Sequence, residues 1–508
     1  MSNDTWLATP WTSDLPAPRS PDDASPLAFV STDQSGRITD LNDVFVEWTR
    51  FARSRLLGTP HSVVRHPGMP AGLFRLVWQR LEAGQPVSAY LQNLPADGNT
   101  YTALVTISPT TDGYLAVQQR PCRPEAAEAM QKIYTSVRAV EFEAQDEGQP
   151  IEAVVEQGAA LLVDLLRQLG FSSFDEFMWT ALAQEVDEHT KRAPGPLTPV
   201  MSEGGRAADI VAASRDLARE LLPWSEQQAE LLQTWGALSK TLVSLGPTMK
   251  EAKRAADSLS QEIAQESSFH AMRLSITVWA SMVTEIENVI ADLPNDLLRL
   301  RQACAETRFW TGLGQIHAEM VGQVAAGLAE AEALEASRAA LVRLCHTLSH
   351  DFDELIWRME KNSGLAATVA ERIQSLHDLM VMPRDLIENW KAMTDGREDE
   401  FVTRLLPEVD RQLSLADETL TLLRNLAQQC QTIAVVQPMD IARRCVRRVQ
   451  WALEDEPATP VAPMTEAQAQ PSWLEDTVAA SGLIDFTAGE ERSPATSWAA
   501  ILASPDAP

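Results

Sequence analysis

HSVVRHPGMP, residues 61–70, decides how the first part of the chain folds. Pro67 and Pro70 each fix φ and push the residue before them away from the helical region, so the middle of this stretch cannot be helix. Immediately before Pro67, Arg65 and His66 become cationic donors held in a fixed place beside a small pocket. Working outward, PLAFVSTD (26–33) alternates as a strand and QSGR turns at Gly36 into a second strand, RITDLN. Asn42 and Asp43 cap the helix VFVEWTRFA, and SRLLG stops at Gly58. Downstream, AGLFRLVWQRLEAG sets Leu73, Val77 and Leu81 on one side of a helix that Gly84 ends. VSAYLQNLPADGNTYTALVTISP reads as a hairpin turning at 95–99, and GYLAVQQRP (113–121) supplies a last strand.

Composition bounds the rest. The 508 residues suffice for more than one domain, and a net charge of −29 opposes any general affinity for nucleic acid or anionic membrane. Five scattered cysteines with no CxxC suggest reduced, buried thiols rather than a disulfide framework. LSITVWASMV (274–283) is too short to span a bilayer, and the start of the chain has neither a basic nor an apolar leader region. The expectation is a cytoplasmic protein with no membrane span. Residues 1–25, rich in Pro, Ser and Asp, read as a disordered leader.

From 124 to 452 strand patterns vanish, and helical stretches break at APGPLTP (193–199), EGG (203–205), GP (246–247), LPND (293–296) and MP (382–383). Val409, Leu413, Ala416, Leu420, Leu423, Ala427, Cys430 and Ala434 alternate four- and three-residue steps. That heptad seam needs a partner helix, which predicts an elongated, dimeric helical region. ARRCVRRVQW (442–451) closes it with Arg443, Arg444, Arg447 and Arg448, placed either to complement a helix dipole or to hold the acidic tail. Residues 453–508, acidic and Pro/Ala-rich, read as disordered, with two aliphatic islands at 472–486 and 497–503.

Residues 29–121, and the loop above all, resemble the PAS domain of aerotaxis receptors and related chemoreceptors, whose loop reads close to R-H-P-D-M-P. The fold class implied is a multidomain chain: an N-terminal α+β PAS domain (26–123), a long all-α bundle or coiled coil (124–452), and the acidic tail. The resemblance implies an FAD site formed by Asn42, Arg65, His66, Trp78, Asn93 and Tyr101. Arg65 and His66 would suit a pyrophosphate or adenine edge, Trp78 a planar ring, and the Asn93 amide a pyrimidine-like edge. Gly68 stands where that family has Asp, and Val87 and Thr102 where it has Trp, so the fold pattern is more complete than the cofactor pattern. EAMQKIYTSVRAVEFEA (128–144) resembles the connector helix after PAS, and 300–324 a late segment of the signalling region. The segment 267–289 lacks the hairpin motif by which chemoreceptors contact their kinase and adaptor.

The resemblance implies a redox or oxygen sensor acting through a homodimer on a chemotaxis kinase or adaptor. A cofactor-free PAS and coiled-coil scaffold is the alternative. His346 and His350 share a helix face with Glu354, but lack the H-E-x-x-H of a zinc protease and supply too few ligands for a metal site. No P-loop, G-x-S-x-G or kinase signature is present, so no enzyme is expected.

Overall fold

The computed structural model describes residues 27–192, 205–226, scattered positions from 228 to 261, 270–330, 334–394, 400–434 and 439–454. The expected leader, and the tail beyond 454, lie outside these. Five strands, β1 (Ala28–Asp33), β2 (Ile38–Leu41), β3 (Val87–Asn93), β4 (Tyr101–Pro109) and β5 (Gly113–Gln119), form one antiparallel sheet in the order β2-β1-β5-β4-β3. Between β2 and β3 the chain crosses the inner face of the sheet as α1 (Asp43–Thr49), α2 (Arg53–Leu56), a 3-10 turn (His61–Val64) and α3 (Ala71–Glu82). Gly58 and Gly84 on this crossing, and Gly36 and Gly98 in the β1–β2 and β3–β4 turns, adopt positive φ, a conformation in which a Cβ is strained.

Eight further continuous helices follow among the described residues: α4 (Pro124–Asp146), α5 (Ile151–Gln168), α6 (Phe174–Arg192), α7 (206–226), α8 (His270–Glu330), α9 (Leu334–Thr394), α10 (Glu400–Ala434) and α11 (Asp440–Glu454). Helices α8 and α9, of 61 residues each, pack antiparallel, and at 1.5 Å per residue each spans about 90 Å. The breaks expected at 293–296 and 382–383 do not occur: α8 runs through Pro294, α9 through 383, and α10 through Pro407. One proline removes one backbone hydrogen bond and costs about 3 kcal/mol, which burial along so long a contact offsets. Val409, Leu420, Leu423, Ala427 and Cys430 bury against Leu293–Cys304 of α8 and Ala366–Met380 of α9, with Leu413 partly buried beside them. The heptad seam therefore finds its partner helices within the chain, and does not by itself require a second copy.

The sheet domain is not a bead on a string. All seven residues of β3 are buried, because its outer face is covered by α6. There the Tyr90 hydroxyl donates to Glu185 (2.7 Å), whose carboxylate also accepts the Arg123 N–H at 3.2 Å and the Cys122 N–H. Ion pairs join Asp40 to Arg343 (2.7 Å) and Arg80 to Asp175 (2.8 Å). A single apolar cluster consequently runs from Leu27 in the sheet through α4 to α9 and on to Val449 in α11.

The tightest joint is at the start of α3. Pro70, at the N-cap, has no side-chain acceptor for the first-turn N–H groups. Glu141 of α4 supplies it, accepting from Ala71 (2.9 Å) and Gly72 (2.8 Å), while Arg138 donates to the same carboxylate at 3.1 Å. Both side chains are fully buried. Burial pushes the Glu141 carboxyl up and the Arg138 guanidinium down, each opposed by the partner's charge. Gly72 meets α5 so closely that a Cβ would lie 2.2 Å from the Ala159 nitrogen, and one on Gly158 would lie 2.2 Å from the Glu141 oxygen. Glu141→Ala would orphan two N–H groups and remove the buried carboxylate to which Arg138 donates. We expect a loss of about 3–5 kcal/mol in urea denaturation, against about 1 kcal/mol or less if the joint were incidental.

Candidate functional site

The loop of residues 61–70 is stitched to the sheet rather than hanging over it. The Leu94 N–H donates to Val64 O (2.7 Å), the His66 N–H to Gln92 O (3.1 Å), and Arg65 pairs with Asn93 as an isolated bridge. Met69 is buried beneath, its sulfur accepting the Gln92 N–H at 3.4 Å. This arrangement fixes Arg65 in the lining of a cleft between α3 and the inner face of the sheet. The cleft holds about 760 Å³, counting the part open to solvent.

Phe74, Trp78 and Tyr114 stand in its walls among aliphatic side chains such as Val77, Leu81, Leu91 and Ile107. The Arg65 guanidinium lies 3.5 Å from the centroid of the Phe74 ring, a cation–π contact. Trp78, one turn further along α3, meets Tyr114 of β5 edge-on at 5.1 Å and 85°. His61 stacks on Phe45 at 6.1 Å, and its buried Nε2 has no hydrogen-bond partner among the described residues. Burial, and secondarily Arg65, lower the His61 pKa to about 4, so at neutral pH this ring is uncharged while Arg65 carries the positive charge.

Of the six residues carried over from the resemblance, Arg65 and Trp78 line the cleft. The other four are placed elsewhere. Asn42 caps α1 and ties it to β1, its Oδ1 accepting from Phe45 and Phe29 (3.1 Å each) and its Nδ2 donating to Leu27 O (2.9 Å). Asn93 donates to the Tyr101 hydroxyl (3.1 Å) and to Gln118 Oε1 (3.2 Å), a buried triad on the strands. Tyr101 meets Trp48 edge-on at 5.9 Å, and burial pushes its phenol well up. The His66 ring turns inward, its Nδ1 accepting the Gly68 N–H at 3.0 Å. A Cβ on Gly68 would sit 2.9 Å from that nitrogen, so the Asp of the related loop could enter only if His66 moved.

Phe74, Tyr114 and His61 are the cleft residues for which sequence reasoning assigned no cofactor role. Phe74 carried a signal, lying i, i+4 from Trp78. Tyr114 shares strand parity with Ala116, also in the wall. His346 and His350 are exposed on α9, and Glu354 is held by Arg358.

Strand order, crossing helices and the position of the cleft define residues 27–121 as a PAS domain, and the PAS fold family matches residues 22–120. Over 114 residues the chain is 32% identical to the aerotaxis receptor of Escherichia coli (strain K12), a match covering 22% of each protein. The chain thus carries an aerotaxis-receptor-like PAS domain, followed by a long helical region. The similarity takes in about a fifth of that relative's length. Among the described residues, no helix is long and apolar enough to cross a membrane.

Burial also lowers the His66 pKa, from 6.5 to about 4. With the folded value below the unfolded one, stability is full above about pH 6.5 and is lost as pH falls toward 4, because only the unfolded chain takes up the proton. Unfolding free energies from urea titrations at pH 7 and pH 5 should differ by about 2 kcal/mol for each such histidine. His66→Asn should remove that share of the slope; an unchanged slope would show that His66 does not titrate this way.

Proposed function

We propose that this chain is a cytoplasmic signal-transduction protein whose PAS cleft takes a flavin, FAD, and reports redox or oxygen-linked state to the helical region. The observation that carries the reading is the cleft itself, with Arg65 in its lining, the rings of Phe74, Trp78 and Tyr114 in its walls, and the His61 Nε2 that has no hydrogen-bond partner among the described residues. These residues fit the group: aromatic walls suit a planar ring, Arg65 suits a phosphate, and neutral His61 can donate to or accept from a ring edge. When bound, a flavin supplies a redox-dependent change of charge and hydrogen bonding.

The chain's own residues supply a route outward. Arg65 precedes Pro70 by five residues, and the next two N–H groups are held by Glu141 of α4. A shift of the loop bears directly on the connector helix that leaves the domain. Such coupling requires the helical packings to differ in free energy between the two cofactor states. We read the chain as a sensor rather than an enzyme, working as a homodimer on a chemotaxis kinase or its adaptor. A specific observation favours the cofactor-free scaffold as second reading: Asn42, Asn93, Tyr101 and His66 make hydrogen bonds within the domain, and Gly68, Val87 and Thr102 depart from the related pattern.

The test is an absorbance spectrum of the purified protein, followed by release of the bound group with heat. We expect a yellow protein with one FAD per chain, and at least about a tenfold loss of affinity, roughly 1.4 kcal/mol, in Arg65→Ala and Trp78→Ala. A folded, colourless protein that takes up no added FAD would overturn the sensor mechanism and leave the scaffold.

A further inference from the structure

Helix α11 carries a face that the fold leaves open. Ala442, Cys445, Val446 and Val449 bury it against the core, while Ile441, Arg443, Arg444, Arg447, Arg448 and Trp451 are exposed. Trp451 is 68% and Ile441 46% exposed, so an arginine cluster lies between two large apolar side chains. The helix dipole does not account for the arginines. Its effect falls off within the last turn, and the last turn of α11 contains no basic residue. Arg448 makes an exposed ion pair with Asp216 (3.1 Å), a contact of little energetic weight. Among the described residues, no carboxylate lies within ion-pair distance of Arg443, Arg444 or Arg447. A cluster of arginines with flanking aromatic and aliphatic groups is the composition of a surface for an acidic, partly apolar peptide.

We propose that the occupant of this face is the chain's own segment 472–486, SWLEDTVAASGLIDF. Charge complementarity favours it: residues 455–508 contain nine carboxylates and one arginine, in a chain of net charge −29. The segment places Glu475, Asp476 and Asp485 among Trp473, Leu474, Leu483, Ile484 and Phe486, matching arginines set between Ile441 and Trp451. Reach also permits it. Seventeen residues, 455–471, separate the end of α11 from the segment. They span up to about 56 Å when extended. The face is about 22 Å long, from the 15 residues of α11. A tethered segment meets the face at an effective concentration of the order of millimolar, so a weak contact suffices in cis.

Hydrogen exchange of the full chain, read by mass spectrometry, tests this without relying on the sensor reading. Amides in 472–486 should exchange at least tenfold more slowly in the wild type than in R443E/R444E/R447E or in E475R/D476R. The second variant leaves α11 unaltered, so a folding defect in the first cannot mimic the result. Combining both sets of charge reversals should restore much of the protection, and raised ionic strength should reduce it. Equal exchange in all variants would overturn the proposal. So would protection that grows with protein concentration, which would assign the face to a second copy.

Discussion

Helix α3 begins at a proline that cannot cap it, and its first N–H groups are satisfied by a carboxylate some seventy residues further on. Much of the structure depends on that requirement. Buried N–H groups at a helix start must find acceptors. Glu141 meets the need only because Arg138 shares its burial and Gly72 and Gly158 let three helices approach without a Cβ between them. Replacing such an ion pair by apolar groups can be neutral, but removing one partner strands a charge in the interior. The joint is therefore rigid: the loop beside the cleft and α4 cannot move independently at small cost.

A second carboxylate does similar work at the other end of the connector. Glu185 gathers the Tyr90 hydroxyl and the backbone at Cys122 and Arg123, where β5 gives way to α4. Burial and this carboxylate both drive the Tyr90 phenol upward, so the hydroxyl stays a donor across the working pH range. Together the two glutamates fasten α3 and the edge strand β3 of the PAS domain to helices of the long region. Its outer sheet face is thereby interior, and one apolar cluster is continuous across what the chain order presents as two domains.

The PAS strands and helices were legible because their signals are local: alternation in β1, a hairpin turn between β3 and β4, capping at Asn42, a face at Leu73, Val77 and Leu81, and glycines at the turns. Arg65 and Trp78 could be placed at the cleft because they sit in the loop and helix that form its wall. His66 lies one residue on in the same loop, yet its ring turns to Gly68, a choice made by the space that glycine leaves. Asn93 and Tyr101 hydrogen-bond to each other and to Gln118 on a third strand, and no spacing announces that partner. The helical breaks expected at 293–296 and 382–383 failed for a related reason, since a proline's local cost is small beside the burial along α8 and α9.

By itself the sequence determined the element order of the first domain, the loop that bounds its cleft, the helical character of the remainder, and a heptad seam in need of partners. These follow from backbone restriction and periodicity, which act over a few residues. Only the tertiary structure decided that the seam is satisfied by α8 and α9 of the same chain, that Glu141 and Glu185 join the PAS domain to the helices, and that the arginines of α11 face outward. Those outcomes depend on which buried polar groups and apolar faces meet across tens to hundreds of residues. Desolvation, which sets their cost, is a property of the assembled interior and not of any stretch of chain.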